Sequence, residues 1–214
     1  MLQAALTDRF HLGQILVQKR NDDFVLSHRD DEVCTDLQTF RNAEDAVEIA
    51  KYDEAGNYRS LKTAPDLRRG WRLELSTSPE LKRALDYFYP GRLAVFAAWK
   101  SDKLQTTLLR ETLERQSGMY RVAAKISDEQ IDSVVGDFCR SDGGCLRTIL
   151  WKRDQHGTLP STKLPLKKID PAYDQIKALG RPGSTTPATA TIPLLCQEAC
   201  NLLVAECRKI VKGE

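Results

Sequence analysis

Four of the six cysteines fall in two close pairs, Cys139 with Cys145 and Cys196 with Cys200. Thiolates are soft anionic ligands suited to zinc and iron–sulfur centres, so these pairs point to a metal centre. The first pair brackets Arg140-Ser141-Asp142-Gly143-Gly144. Its glycines allow the backbone to pass close to a bulky inorganic group with peptide N–H groups facing sulfur. Arg140 and Arg147 would offset the negative charge of several thiolates and raise a cluster's reduction potential. The second pair is four residues apart, and a helix from Pro193 to about Val211 would project both sulfurs from one face. Spacing alone leaves three readings open: an iron–sulfur cluster, a structural zinc site, or unliganded core thiols. Zinc sites favour short knuckles such as C-x2-C, and the wider pairs here suit a larger centre.

The remaining cysteines read differently. On the predicted last helix Cys207 lies two turns, ~10 Å, beyond Cys200 and reads as a packed thiol. Cys34 has no cysteine neighbour and takes the same reading. A nucleophilic Cys207 would require a depressed thiol pKa and has no histidine beside it. The histidines, His11, His28 and His156, are scattered over separate segments. Phosphate-binding loops, dinucleotide fingerprints and nucleophile elbows are absent from the sequence.

Elements that could carry these ligands follow from pattern and punctuation. Gln14 to Arg20 and Phe24 to His28 form a predicted hairpin about Asn21-Asp22-Asp23. Asn42 is placed to cap a helix running to Gly56-Asn57. Tyr58 to Leu61 and Trp71 to Leu75 are predicted strands, and Ser78-Pro79-Glu80 opens a helix that Pro90-Gly91 ends. Leu93 to Trp99 is read as a buried helix, and Leu108 to Ser117 as a helix capped by Gly118. Ser127-Asp128-Glu129-Gln130 is a capping box for a helix that brings Ile131, Val134, Val135 and Phe138 to the core and ends at Cys139.

The predicted class is α+β: a small N-terminal α+β unit over residues 1–92, then a mainly helical four-cysteine domain over 93–214. A flexible connector is expected at about 180–191, where turn formers dominate. In 214 residues, 32 Lys and Arg balance 30 Asp and Glu, so no net field argues for nucleic acid or an anionic membrane. An apolar run of membrane-spanning length and a secretory leader are both missing. We therefore expect a soluble, cytoplasmic protein whose clustered cysteines are ligands or reactive thiols rather than disulfides.

Three stretches add a resemblance: Leu109-Arg110-Glu111-Thr112-Leu113-Glu114-Arg115-Gln116-Ser117-Gly118-Met119-Tyr120-Arg121-Val122, Gly143-Gly144-Cys145-Leu146-Arg147, and Leu195-Cys196-Gln197-Glu198-Ala199-Cys200-Asn201-Leu202-Leu203-Val204. Together they resemble the accessory region of multidomain proteins related to sirohydrochlorin cobaltochelatases. That resemblance implies a small stabilising α+β domain followed by a domain binding a [4Fe-4S] cluster. It makes Cys139, Cys145, Cys196 and Cys200 the ligands and leaves Cys34 and Cys207 outside the site. The chelatase domains themselves have no counterpart in this sequence, and none of its histidines sits in a chelatase-like motif. The implied role is redox, electron-transfer or stabilising rather than chelatase catalysis, linked to tetrapyrrole metal insertion in cobalamin or siroheme synthesis. A separate protein partner is expected: a chelatase, a reductase or another redox protein. The alternative is a structural zinc-binding interaction module.

Overall fold

The computed structural model describes residues 8–116, 118–139, 145–154, 157–158 and 190–214. Its N-terminal half is built on a six-stranded sheet. The predicted hairpin forms as β2 (Ile15–Arg20) and β3 (Asp23–His28), joined through Asn21 in the left-handed region. The extra strand β1 (Arg9–Leu12) pairs antiparallel with β2. β4 (Gln38–Phe40) and β5 (Trp71–Leu75) pair in parallel, and β5 lies antiparallel to β3. At the far edge, β9 (Ala190–Ile192) lies parallel to β1, which gives the order β4-β5-β3-β2-β1-β9.

Helices α1 (Asp45–Lys51) and α2 (Ser78–Phe88) pack into the core of this sheet, where Ile49, Leu81, Leu85 and Phe88 meet Leu26, Trp71 and Leu73. Trp71 stacks on Phe88 with ring centroids 5.1 Å apart. α2 starts one residue earlier than its sequence signal, because Thr77 rather than Ser78 caps it. The Thr77 hydroxyl accepts from the Glu80 N–H while Glu80 accepts from that of Thr77. Gly91, left-handed, separates α2 from α3 (Arg92–Lys100), the helix expected at Leu93 to Trp99.

Three N-terminal expectations fail. Asn42 does not cap α1 with its side chain; Asp45 instead accepts from the Asn42 N–H at 3.1 Å. The helix also stops at Lys51, because Tyr52 turns extended and bridges Tyr58. The predicted strand at Tyr58 to Leu61 therefore has only that one bridge. The segment is a loop organised by Arg59, whose buried guanidinium donates to the carbonyls of Ala50, Lys62 and Ala64 and to Asp66.

The C-terminal half has its own core. α4 (Leu109–Gln116) leads into a 3-10 stretch, Gly118–Lys125, so Gly118 continues the turn rather than ending it as a left-handed cap. Arg110 clamps this stretch by donating to the carbonyls of Ala124 and Ile126 and to Asp128. The Ser127–Gln130 capping box forms in both directions and opens α5 (Asp128–Val134). α5 then widens into a π-turn over Val135–Cys139.

The main correction concerns the last helix. Pro193 does not start it. β10 (Leu195–Cys196) pairs parallel with β6 (Thr148–Ile149), and α6 (Asn201–Lys212) begins only after Cys200. A short antiparallel pair, β7 (Lys152–Asp154) with β8 (Gly157–Thr158), follows β6. Most of the expected connector lies outside the described residues, and its last two positions, Ala190 and Thr191, belong to β9. No described helix is long and apolar enough to cross a membrane.

The two halves meet along one seam. Ile192, Leu194 and Leu195 belong to the core of the sheet, whereas Cys196, Ala199, Leu203 and Val204 belong to the second core. At the tip of β1, Gly13 adopts φ +58°, and a Cβ there would lie 2.7 Å from the Tyr89 ring and 2.9 Å from Leu194. Gly13→Ala should lower unfolding free energy by about 1–3 kcal/mol through the left-handed backbone and this overlap. Urea titration should show a lower midpoint with an unchanged slope; an unaltered midpoint would refute the close packing.

Candidate metal centre

Each cysteine of the two pairs is positioned by a different local device. Cys139 closes the π-turn after α5 and is buried. Such turns place an extra residue in a helix and recur at functional sites. The Cys145 N–H donates to the Cys139 carbonyl at 3.2 Å, so the backbone ends of the first pair are drawn together. The intervening residues 140–144, with the peptide N–H groups expected to face sulfur and Arg140 expected to offset thiolate charge, lie outside the described residues.

Cys196 ends β10 opposite Ile149 of β6, and its carbonyl accepts from the Leu150 N–H at 2.7 Å. Cys200 is the N-cap of α6, with an extended backbone (φ −81°, ψ 162°), and its sulfur accepts from the Leu203 N–H at 3.5 Å. The second pair is therefore a strand end and a helix cap. Extended φ/ψ at Cys200 is incompatible with a continuous helix through Cys196, and the β6 partner holds Cys196 in a strand.

All four cysteines nonetheless line one pocket, together with Leu61, Phe138, Arg147, Ile149, Trp151, Ala199 and Leu203. The cavity itself is about 20 Å³. Among the described residues no three Cys, His, Asp or Glu side chains are gathered as a site for a single ion. The four cysteines share the lining of this one pocket.

The chain from Cys145 to Trp151 forms much of the wall through two-residue alternation. Cys145, Arg147, Ile149 and Trp151 face the pocket, while Leu146 and Leu150 pack on the core of the sheet. Period-two alternation is what an extended chain between two cores requires. This signal was present in Cys-Leu-Arg-Thr-Ile-Leu-Trp and went unused in the sequence analysis, which is why Ile149 and Trp151 were missed.

The N-terminal half supplies part of the same site. Thr63, on the loop shaped by Arg59, lies with its hydroxyl 2.9 Å from the Cys145 sulfur, and its carbonyl accepts from the Leu146 N–H at 2.8 Å. Leu61 lines the pocket. Arg92, at the start of α3, donates to the Leu195 carbonyl at 2.7 Å.

Charge explains how thiols tolerate this enclosure. Burial pushes the Cys196 thiol up, opposed first by the positive charge of Arg147. Burial also acts against the Arg147 guanidinium, but Cys145, Cys196 and Cys200 together hold its pKa above the ordinary value. Arg92 is displaced downward by burial and by Arg147 beside it. As expected from the sequence, Arg147 sits where it can balance thiolates. In its protonated state Cys196 donates to the Glu198 carbonyl at 3.1 Å.

A bulky four-thiolate cofactor fits these residues on three grounds. The donor set is soft sulfur around a single pocket, with a guanidinium beside three of the sulfurs. The Trp151 indole N–H is buried at the wall and meets no acceptor with hydrogen-bonding geometry among the described residues. Buried donors in native proteins are almost always paired, and cluster or ligand sulfur would supply the missing acceptor.

Comparison with known proteins bears directly on the cofactor. Residues 101–209 match the model of a 4Fe-4S iron-sulfur cluster binding domain. The chain belongs to this family. Its cofactor is a [4Fe-4S] cluster, and the α+β region before it, residues 2–103, matches the DR2241 stabilising domain. The fold is similar to that of DR2241 from Deinococcus radiodurans, described as a multi-domain protein with structural similarity to chelatases and two additional novel domains. The TM-score is 0.74 at 28% identity, and the match covers 100% of this chain. The chain spans 41% of that protein's length. No curated protein gives a significant match.

The other candidates separate cleanly from the pocket. Cys207 is fully buried in the second core on α6, and Cys34 is exposed beyond a 3-10 turn. His11 and His28 belong to β1 and β3, away from the pocket lining, and His156 lies outside the described residues. Burial pushes the Cys207 thiol up to about 11, the opposite of what a nucleophile needs. In cluster-free protein at pH 8 its thiolate fraction should be about one in a thousand. Iodoacetamide followed by peptide mass spectrometry should modify Cys34 well ahead of Cys207; comparable labelling would show that Cys207 is accessible and ionised.

Proposed function

We propose that Cys139, Cys145, Cys196 and Cys200 ligate the [4Fe-4S] cluster and that the chain is a redox module. The observation that carries this reading is the convergence of these four thiols, from a π-turn, the irregular segment before β6, a strand end and a helix cap, on one pocket beside Arg147. Four cysteine ligands occupy one position on each iron, which favours outer-sphere one-electron transfer or redox sensing over Lewis-acid catalysis at an open site. When bound, the cluster supplies a one-electron couple. The chain's own residues hold the sulfurs apart, limit water through Leu61, Phe138, Ile149 and Leu203, and balance negative charge through Arg147.

The relation to a chelatase-like multidomain protein supports a setting in tetrapyrrole metal insertion, in cobalamin or siroheme synthesis. The partner in this reading is a chelatase or reductase unit that exchanges electrons with the cluster or is supported by it, in the cytoplasm. The stabilising domain acts as the second wall of the site through Leu61 and Thr63.

Anaerobic purification with iron, sulfide and zinc analysis tests the ligand assignment. Wild type should be brown with about four irons and four sulfides per chain. Cys139→Ser, Cys145→Ser, Cys196→Ser and Cys200→Ser should each lose most of the cluster, whereas Cys34→Ser and Cys207→Ser should retain it. A colourless wild type with about one zinc would refute the redox reading, and full cluster content in any of the first four variants would remove that residue from the ligand set.

A further inference from the structure

Cluster ligation changes what a cysteine sulfur can do. A thiol can donate one hydrogen bond, whereas a ligating thiolate only accepts. Two side chains at the pocket are arranged for the thiolate state. Thr63 is 1% exposed, with its hydroxyl 2.9 Å from the Cys145 sulfur. In the thiol form either group can donate; once Cys145 is a thiolate, Thr63 must. Trp151 is also 1% exposed, and its indole N–H lacks a partner among the described residues. Metal binding would take the proton from Cys196, end its bond to the Glu198 carbonyl and leave an acceptor in the pocket that Trp151 also lines.

We propose that Thr63 and Trp151 are hydrogen-bond donors to the ligand sulfurs of Cys145 and Cys196, and that they hold the cluster's reduction potential up. The physical reason is differential. On one-electron reduction, by dithionite in vitro or by a one-electron redox protein, negative charge on the ligand sulfurs increases and no covalent bond of the chain breaks. Hydrogen bonds to sulfur therefore strengthen in the reduced state and favour it. Enclosure amplifies the effect, because hydrogen bonds gain strength where the local dielectric is low.

The two donors have different origins. Trp151 lies just beyond β6, two residues after Ile149 and on the same pocket side. Thr63 comes from the stabilising domain, on the loop that buried Arg59 ties to Ala50, Lys62, Ala64 and Asp66. The stabilising domain thereby acquires a redox function as positioning element as well as a structural one. Through the Thr63 carbonyl bond to the Leu146 N–H, the loop also fixes where Cys145 sits.

This inference rests on the assignment of Cys145 and Cys196 as cluster ligands, and its test separates the two. Thr63→Val, Thr63→Ser and Trp151→Phe would be purified anaerobically, assayed for iron and sulfide, and titrated by optical and electron paramagnetic resonance potentiometry. With cluster content intact, Thr63→Val and Trp151→Phe should each weaken reduction by up to about tenfold, a downward shift of up to ~59 mV for one electron. Thr63→Ser, which restores the hydroxyl, should return the potential toward wild type. A purely structural Thr63 would change thermal stability while leaving the potential in place. If a variant fails to assemble, the wild-type protein decides: hyperfine spectroscopy of the reduced state with 15N-indole tryptophan, in H2O and D2O, should show a coupled nitrogen and exchangeable protons near sulfur. Unchanged potentials in loaded variants, or absence of those couplings, would overturn the donor proposal alone; a wild-type chain without iron and sulfide would overturn the ligand assignment and this proposal with it.

Discussion

The parallel pairing of Thr148–Ile149 with Leu195–Cys196 is the constraint on which the site depends. Two backbone hydrogen bonds frame it, from the Thr148 N–H to the Leu194 carbonyl and from the Leu150 N–H to the Cys196 carbonyl, both 2.7 Å. This short ladder lies between two hydrophobic cores, so residues on one side of each strand pack on the sheet and those on the other face the sulfur pocket. Leu195 and Leu150 belong to the first set, Cys196, Ile149 and Trp151 to the second. A slip of one residue would exchange the two sets, placing Leu150 in the pocket and Trp151 against the sheet. Register here is therefore determined by burial on both faces, which compensates for the ladder's two-residue length.

The neighbouring elements relieve the cost of enclosing thiolates. Arg147 projects from the same wall and is held charged by three sulfurs, while Arg92 secures Leu195, the residue before Cys196. Arg59 does comparable work at a distance. Its guanidinium is buried, yet every group it contacts is a carbonyl or carboxylate. The result is a loop without regular structure that still presents Leu61 and Thr63 at defined positions. Satisfied buried polar networks of this kind specify geometry as effectively as a helix or strand.

Local signals proved legible where one segment contained both the cause and the effect. The β2–β3 hairpin, the α3 helix and the Ser127–Gln130 capping box all depend on contacts within a few residues. The four cysteines were visible for the same reason, as candidate soft ligands in tight pairs. Signals failed where a distant partner decided the conformation. Leu195-Cys196 could extend a helix from Pro193, but β6 offered a strand partner. Tyr58 to Leu61 found only a single bridge, from Tyr58 to Tyr52, and no strand to pair with along its length. Gly118 suited a left-handed cap, yet the following chain continued as a 3-10 turn clamped by Arg110.

Residue chemistry alone thus determined the α+β class and singled out four paired cysteines as candidate ligands, because those follow from side-chain type and short-range spacing; it left cluster, zinc and unliganded thiols open, and the family motifs favoured the cluster. Tertiary structure decided how the ligands are presented. Cys200 became a helix cap rather than a helix face, Cys196 a strand end, and Thr63 and Trp151 became neighbours of sulfurs up to 82 residues away in sequence. The physical reason is that backbone propensity is weak compared with long-range pairing and burial. Where two cores compete for the same strand, only the assembled structure determines which side chains face the pocket.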